Sequence, residues 1–369
     1  MTNGSLLAFG GFRKSERIDL AILAQEASIE VHYADQASEA AQLLEEMSPR
    51  VVLLDDETRE ASQVCQLARA KPERALTPII SVARSLDDLS FEEVFSWGGD
   101  DAVELSSVRP LLSRVRALPV TPPQATDAKR GVAIVADPDR ARRLVRARVL
   151  RNVGYSVQFA VCSGDTIAFK SLDNVQLVVV DTELEGVEQV IEQCLQDRTR
   201  LVVLCPPKQL AVFGKRCEGH PDVAVSDSFA PPENVLFIAN ELMRGGANDK
   251  RSSRRLLYGT KVAFRGEGRD VDDFGFSYNV SEGGLYVRTL APPTEDQVWV
   301  ELRPPRADRR VRLEGQVVWR RGFGPSGNAT VPPGFGVRIT DGTRRNMQAW
   351  IDGYKGFAAA MGLASLRPS

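Results

Sequence analysis

The sequence predicts a multidomain fold: two α/β doubly wound domains in tandem, followed by a small antiparallel β-barrel with a C-terminal helix. Three observations lead there. Short apolar strands alternate with helices over residues 4–118. The alternation restarts at Gly131 after a proline-rich break. Beyond Arg255 the helices give way to short period-two strands separated by Gly, Pro and Asp. At 369 residues, 43% hydrophobic and 26% charged, the chain is long enough for two or three domains with full cores.

The first unit is placed at residues 1–118. Ser5–Phe9 is an apolar strand, Ser15–Ala27 has helical spacing, and Ile29–Tyr33 is a strand. Ala37–Met47 is a helix ended by Ser48-Pro49, after which Val51–Leu54 forms a buried strand running into Asp55-Asp56. Helix Ala61–Ala70, strand Pro78–Val82, helix Phe91–Trp97, a strand after Gly98-Gly99 and helix Val108–Leu118 complete it. Five strands separated by helices imply a parallel sheet.

Residues 119–130, PVTPPQATDAKR, are rich in proline and small polar residues, as a linker is. The second unit is placed at residues 131–244, an internal repeat at domain scale. Its strands are Gly131–Ala136, Tyr155–Phe159, Leu177–Asp181, Arg200–Cys205 and Asp222–Val225. Its helices are the strongly basic Asp139–Asn152, then Ser163–Leu172, Val187–Gln196 and Pro232–Arg244.

Residues 245–259 read as a second linker, 260–357 as the barrel and 358–369 as a loosely held tail. Strands are expected at Thr260–Arg265, Gly275–Val280, Leu285–Thr289, Gln297–Leu302, Arg310–Arg321 and Gly334–Ile339. A helix over Thr343–Gly356 plugs or flanks them. Gly322 to Gly327 spells Gly-x-Gly-x-x-Gly, yet Pro325 and the prolines that follow forbid the helix a dinucleotide fingerprint must open, so this is a hairpin loop.

Two short motifs carry chemistry. Arg251 and Arg255 stand in an Arg-x-x-x-Arg spacing, and Asn279, Ser281 and Gly284 spell Asn-x-Ser-x-x-Gly at the turn between two strands. A planar guanidinium pairs bidentately with phosphate oxygens or with guanine O6 and N7, and it stacks on purines. Asn279 and Ser281 offer short polar groups to a base edge or a phosphate rim, and Gly284 permits close backbone approach or positive φ. The plain alternative is a hairpin preceded by a basic linker.

In this order, ahead of short strands, the two motifs resemble the PilZ family of cyclic di-GMP receptors, as do EGQVVWRRG and PPGFGVRITD further on. The resemblance implies that Arg251 and Arg255 clamp phosphate and guanine while Asn279, Ser281 and Gly284 form the pocket floor. Lys250, Arg254, Arg288, Arg320 and Arg338 would assist. In this family a basic residue at the position of Lys250 tends to accompany an intercalated ligand pair. The segments VVLLDDE, TPIISVA and WGGDDAVEL are similar to landmarks of the response-regulator receiver family, so both α/β units are flavodoxin-like, receiver-type domains.

A phosphorylatable receiver needs an acidic pair for Mg²⁺, an acceptor Asp, a hydroxyl and a Lys. Asp55 and Asp181 sit at the acceptor positions. In the first unit Gly10-Gly11 replaces the acidic pair, with Ala83 at the hydroxyl and Leu105 at the lysine position. In the second, Asp137 survives beside Ala136, while Cys205 and Asp227 take the other two places. Both are therefore expected to be pseudo-receivers with vestigial acceptors. Receivers commonly dock partners, and pair with one another, through the face of their fourth and fifth helices and strands. Here that face corresponds to Phe91–Leu118 and Cys217–Met243.

The net charge is -2, but Lys250 to Arg345 holds 18 Lys and Arg against 11 Asp and Glu, which makes this the anion-facing part. Five cysteines without a Cys-x-x-Cys and only two histidines argue against zinc or a disulfide framework. With no signal pattern and no membrane-length apolar run, a cytoplasmic protein is expected. No catalytic set is visible. The expectation is a non-enzymatic adaptor that binds cyclic di-GMP without metal, nucleic acid or membrane. It would pass the signal to an unidentified signalling or motility protein, with homodimerisation through receiver faces. Three rivals stand beside it: a ligand-free interaction scaffold, a nucleic-acid binder using the basic C-terminal region, and a true phosphorelay receiver.

Overall fold

The computed structural model describes residues 4–71, 74–105, 108–121, 130–244, 253–324 and 330–361. The first domain alternates β1 (Ser5–Phe9), α1 (Lys14–Ala27), β2 (Glu30–Ala34), α2 (Ala37–Glu46), β3 (Val51–Asp55), α3 (Ala61–Arg69), β4 (Ile79–Ala83), α4 (Asp88–Ser96), β5 (Asp101–Glu104) and α5 (Val108–Ala117). All pairings are parallel in the order β2-β1-β3-β4-β5. Strands β3 and β4 are buried along their whole length because helices cover both faces. Leu6, Leu53, Val82 and Val115 pack on one side, and Leu7, Leu54, Val64 and Ile79 on the other.

The second domain repeats the plan with β6 (Val132–Ala136), α6 (Arg140–Arg151), β7 (Ser156–Ala160), α7 (Ser163–Lys170), β8 (Val175–Asp181), α8 (Val187–Asp197), β9 (Leu201–Cys205), α9 (Leu210–Arg216), β10 (Val223–Asp227) and α10 (Glu233–Arg244). Its order, β7-β6-β8-β9-β10, is the same doubly wound topology. Asp139 caps α6 by accepting from the Arg142 amide at 2.8 Å. Helix α9 was not expected. It buries only Phe213 and contains Gly214, so its helical signal is weak.

The third unit comprises β11 (Leu256–Leu257), β12 (Lys261–Gly266), β13 (Asp273–Ser281), β14 (Gly284–Arg288), β15 (Gln297–Leu302), β16 (Val311–Arg321), β17 (Gly334–Gly342) and α11 (Arg344–Ala360). Antiparallel pairing runs β13-β12-β15-β16-β17-β14 and returns from β14 to β13, closing a six-stranded barrel to which β11 is added at β13. Closure leaves no bare edge among the six strands. Helix α11 covers one end with Trp350 and Tyr354 in the barrel core.

The barrel takes part of each face expected to meet a partner or a second copy, while Phe229 and Met243 of the second stay exposed. Phe276 of β13 lies 5.3 Å from Phe91 and 5.8 Å from Phe95, ring centre to ring centre. Arg114, wholly buried, pairs with Asp101 at 3.1 Å and with Asp273 of β13. Asp88 accepts from Thr260 Oγ1 at 3.1 Å, and the Leu290 amide donates to Asp101 at 2.8 Å. Between barrel and second domain, Tyr278 of β13 donates to the Glu233 carbonyl at 2.9 Å and Asn240 of α10 donates to the Thr330 carbonyl at 2.7 Å.

Candidate functional site

The described end of the first motif, Arg255, reaches the second because β11 joins the barrel on the strand that carries it. Leu256 pairs with Val280 and Leu257 with Asn279. Continuing that register sets Arg255 beside Ser281, and its cation is near enough to Tyr286 to oppose the larger effect of burial, which pushes that hydroxyl up. Arg254 and Arg255 are exposed. Lys250 and Arg251, the other basic residues of the motif, lie outside the described residues.

On β13 and β14, Val280, Leu285 and Val287 point into the core. Alternation turns Asn279, Ser281 and Tyr286 outward. One outward row runs Asn279, Tyr286, Gly336, Trp319 across four strands, and the next runs Ser281, Gly284, Arg338, Gln316. A bulge between Ser277 and Asn279 sets this phase. Trp319 is 43% exposed, with its ring 5.8 Å from Tyr286. Arg338 is exposed, and among the described residues no ion pair engages it. Asn279 and Tyr286 are each only 3% exposed, the Tyr286 hydroxyl donating to the Pro332 carbonyl at 2.8 Å, so the open part of this surface is Trp319, Arg338 and the Ser281 turn, with Arg254 and Arg255 at its other side.

The turn is held from behind. Ser281 Oγ donates to the Gly284 carbonyl at 3.2 Å, and the Ile339 amide donates to the Gly283 carbonyl at 3.0 Å. Trp350 Nε1 donates to the Glu282 carbonyl at 2.9 Å, and Tyr354 Oη to the Arg254 carbonyl at 2.7 Å. One face of α11 thus fixes both motifs. Sequence reasoning missed these two aromatics, together with Tyr286 and Trp319. The spacing of Trp350 and Tyr354 by four marks a helix face but not what that face holds.

Gly284 answers to the barrel itself. A Cβ there would fall 2.2 Å from the Val337 carbonyl oxygen, so glycine lets β14 lie against β17. Two of the expected supporting arginines are engaged elsewhere. Arg288 is 5% exposed, pairs with Glu233 at 2.7 Å and lies over the Phe95 ring. Arg320 donates to the Pro293 and Glu295 carbonyls at 2.7 Å and pairs with Asp296 at 2.9 Å.

The two acceptor positions differ. Asp55 is 4% exposed, burial is the main cause that raises its carboxyl, and Arg84 stands 3.8 Å away. Gly10, at φ 121°, packs so closely that a Cβ would meet Asp55 Cβ at 2.6 Å, so a carboxylate cannot stand at that one position of the pair. In the second domain Asp137 and Asp181 are wholly buried, and Arg146 pairs with both. Arg142 adds a bond to Asp137 at 3.0 Å. A guanidinium thus occupies the place a metal ion would need. Among the described residues no group of three or more His, Cys, Asp or Glu could hold a metal, and no helix is long and apolar enough to cross a membrane.

Two doubly wound domains of receiver-type topology pack against a six-stranded barrel that a short lead-in strand, β11, joins just after Arg254 and Arg255. Residues 249–353 are a PilZ domain, matching that family over their length. Among solved structures, the chain is similar to Bacillus subtilis inhibitor of motility MotI/DgrA at 17% identity and TM-score 0.25, covering 32% of this chain and 55% of that one. It is similar to chemotaxis response regulator CheY4 of Vibrio cholerae at 19% identity and TM-score 0.28, covering 30% of this chain and 98% of that one. A putative two-component response regulator/GGDEF domain protein covers 65% of this chain and 98% of its own at 18% identity and TM-score 0.29. No curated protein matches the sequence.

Proposed function

We propose that this protein is a cyclic di-GMP receptor whose PilZ domain binds the dinucleotide on the shelf between β11 and β17. Arg251 and Arg255 close over it, and Asn279 and Ser281 contact its base edge and phosphate rim. Lys250 and Arg254 add positive charge beside the clamp, and Arg338 faces the ligand from the far side. The observation that supports the reading is the pairing of Leu256 and Leu257 with Val280 and Asn279, a register that continues to Arg255 beside Ser281. Guanidiniums over a glycine-lined shelf suit a ligand with two phosphates and two guanines. The five cysteines are free, which fits a reducing cytoplasm.

The receiver-type domains serve as an interaction platform rather than as phosphorylation modules: the barrel is seated on α4 and α5 of the first domain, and ligand on the barrel changes how that platform meets a protein partner. Output in motility or surface behaviour is what the family resemblance implies. Isothermal titration of the full chain with cyclic di-GMP tests the reading, with GTP and cyclic di-AMP as controls. Saturable heat with the first alone supports it. Silence at high concentration leaves a ligand-free interaction module.

A further inference from the structure

Helix α11 grips the main chain on both sides of the proposed dinucleotide site. Trp350 holds the Glu282 carbonyl at 2.9 Å, and Lys355 pairs with the Glu282 carboxylate at 3.4 Å. Tyr354 holds the Arg254 carbonyl at 2.7 Å. Trp350 and Tyr354 are 0% and 7% exposed, and on one rigid helix their main-chain positions stand roughly 6 Å apart along the axis. The lead-in is held again at Tyr258, whose ring meets Phe357 edge-on at 5.7 Å. Arg255 lies between these two anchors, with its side chain exposed.

The six-stranded barrel closes through β13 and β14, and β11 is added outside that closure. A phenyl ring at position 354 would fill the core as well as tyrosine does, and only the hydroxyl reaches the lead-in. Burial pushes that hydroxyl up, so it keeps its proton and donates at neutral pH. Tyr354 and Phe357 also lie past residue 353, where the family match ends, so they are not among the matched positions. We infer that Tyr354 is a positioning residue for the dinucleotide site: through the Arg254 carbonyl it sets the main chain of the arginine lead-in at a fixed distance from the Ser281 turn. This rests on the dinucleotide reading above. A lead-in ordered before the ligand arrives removes an ordering cost from binding, so the Tyr354 hydroxyl contributes to affinity without touching the ligand.

The test compares the full chain with Tyr354→Phe, which keeps the ring and deletes the donor. Cyclic di-GMP affinity by calorimetry is expected to fall about tenfold, with Tm within about 1 °C of the unaltered chain. Without nucleotide, amide hydrogen exchange over residues 254–258 should quicken while the barrel strands exchange as before. Tyr33→Phe, which removes a hydroxyl bonded to the Arg17 carbonyl in the first domain, should change neither affinity nor exchange over 254–258. If the unaltered chain takes up no nucleotide, the dinucleotide reading falls, yet faster exchange confined to 254–258 still upholds Tyr354 as what fixes the arginine lead-in. Unchanged exchange there, an affinity within about twofold of the unaltered chain, or a loss of affinity accompanied by faster exchange throughout the barrel overturns the inference.

Discussion

Arg146 reaches Asp181 at 3.1 Å with its other nitrogen on Asp137, so the acceptor pocket of the second domain carries its own cation. A receiver uses those carboxylates to grip Mg²⁺, which neutralises the incoming phosphoryl group. With a guanidinium covalently in place, both metal and phosphoryl donor are shut out. Acetyl phosphate with Mg²⁺ is therefore expected to leave Asp55 and Asp181 unmodified. Intact mass after incubation checks this, and a stable phosphoryl adduct on either residue would revive the phosphorelay reading.

The same substitution should act with opposite sign in the two receiver-type domains. Asp137→Asn strips charge from a carboxylate that two guanidiniums share, and breaking a buried pair costs about 3 kcal/mol or more. Asp55 is buried with only a distant cation, so Asp55→Asn should raise Tm at pH 7. Because its folded-state carboxyl is raised, its contribution is fully present below the unfolded value of about 3.8 and is lost as pH rises through the folded value. The gain from Asp55→Asn should thus vanish near pH 3 and grow above it. Melting curves across that range decide it.

For the shelf, Arg255→Ala should weaken cyclic di-GMP binding by about 2 to 5 kcal/mol, the cost of leaving a desolvated phosphate partner unpaired. Its melting temperature should barely change, because the side chain is exposed. Calorimetric affinity within twofold of the unaltered chain would remove Arg255 from the clamp.

Gly284→Ala separates binding from folding. Its Cβ would press on the Val337 carbonyl where β14 meets β17, and strands cannot part there without opening the barrel. A loss of about 1 to 3 kcal/mol in stability is expected. Should the variant melt like its parent and yet lose the nucleotide, Gly284 serves the ligand instead.

Much of the fold was legible because period and punctuation agree. The run Val51–Asp55 is apolar until its end and Ile79–Ala83 is broken only by Ser81, the reading of parallel strands covered on both faces. The strand β11 was invisible: two leucines after a basic run carry no period, and only pairing with β13 makes them a strand. Arg288 shows the limit for sites. On sequence it is one more arginine beside the motif, and its real partner, Glu233, lies in another domain. Arg146 failed the same way, since three segments must converge before a basic helix is seen to bury a cation between two aspartates.

The docking of the first domain onto the barrel turns on Phe276. It is 3% exposed, yet its neighbours are Phe91 and Phe95 of α4, and it takes no part in the barrel's own core. Phe276→Ala should therefore leave the barrel closed while removing about 3 to 5 kcal/mol from the interface. The contacts that remain are chiefly polar: the ion-pair cluster of Arg114, Asp101 and Asp273, partly open to solvent and salt at Asp273, and the bonds from Thr260 to Asp88 and from the Leu290 amide to Asp101. The variant is expected to show a larger radius of gyration by small-angle scattering, increasingly so as salt is raised. Cyclic di-GMP binding should persist, since Arg255, Asn279 and Ser281 are untouched. An unchanged radius at every salt concentration would mean that the polar contacts alone hold the domains together.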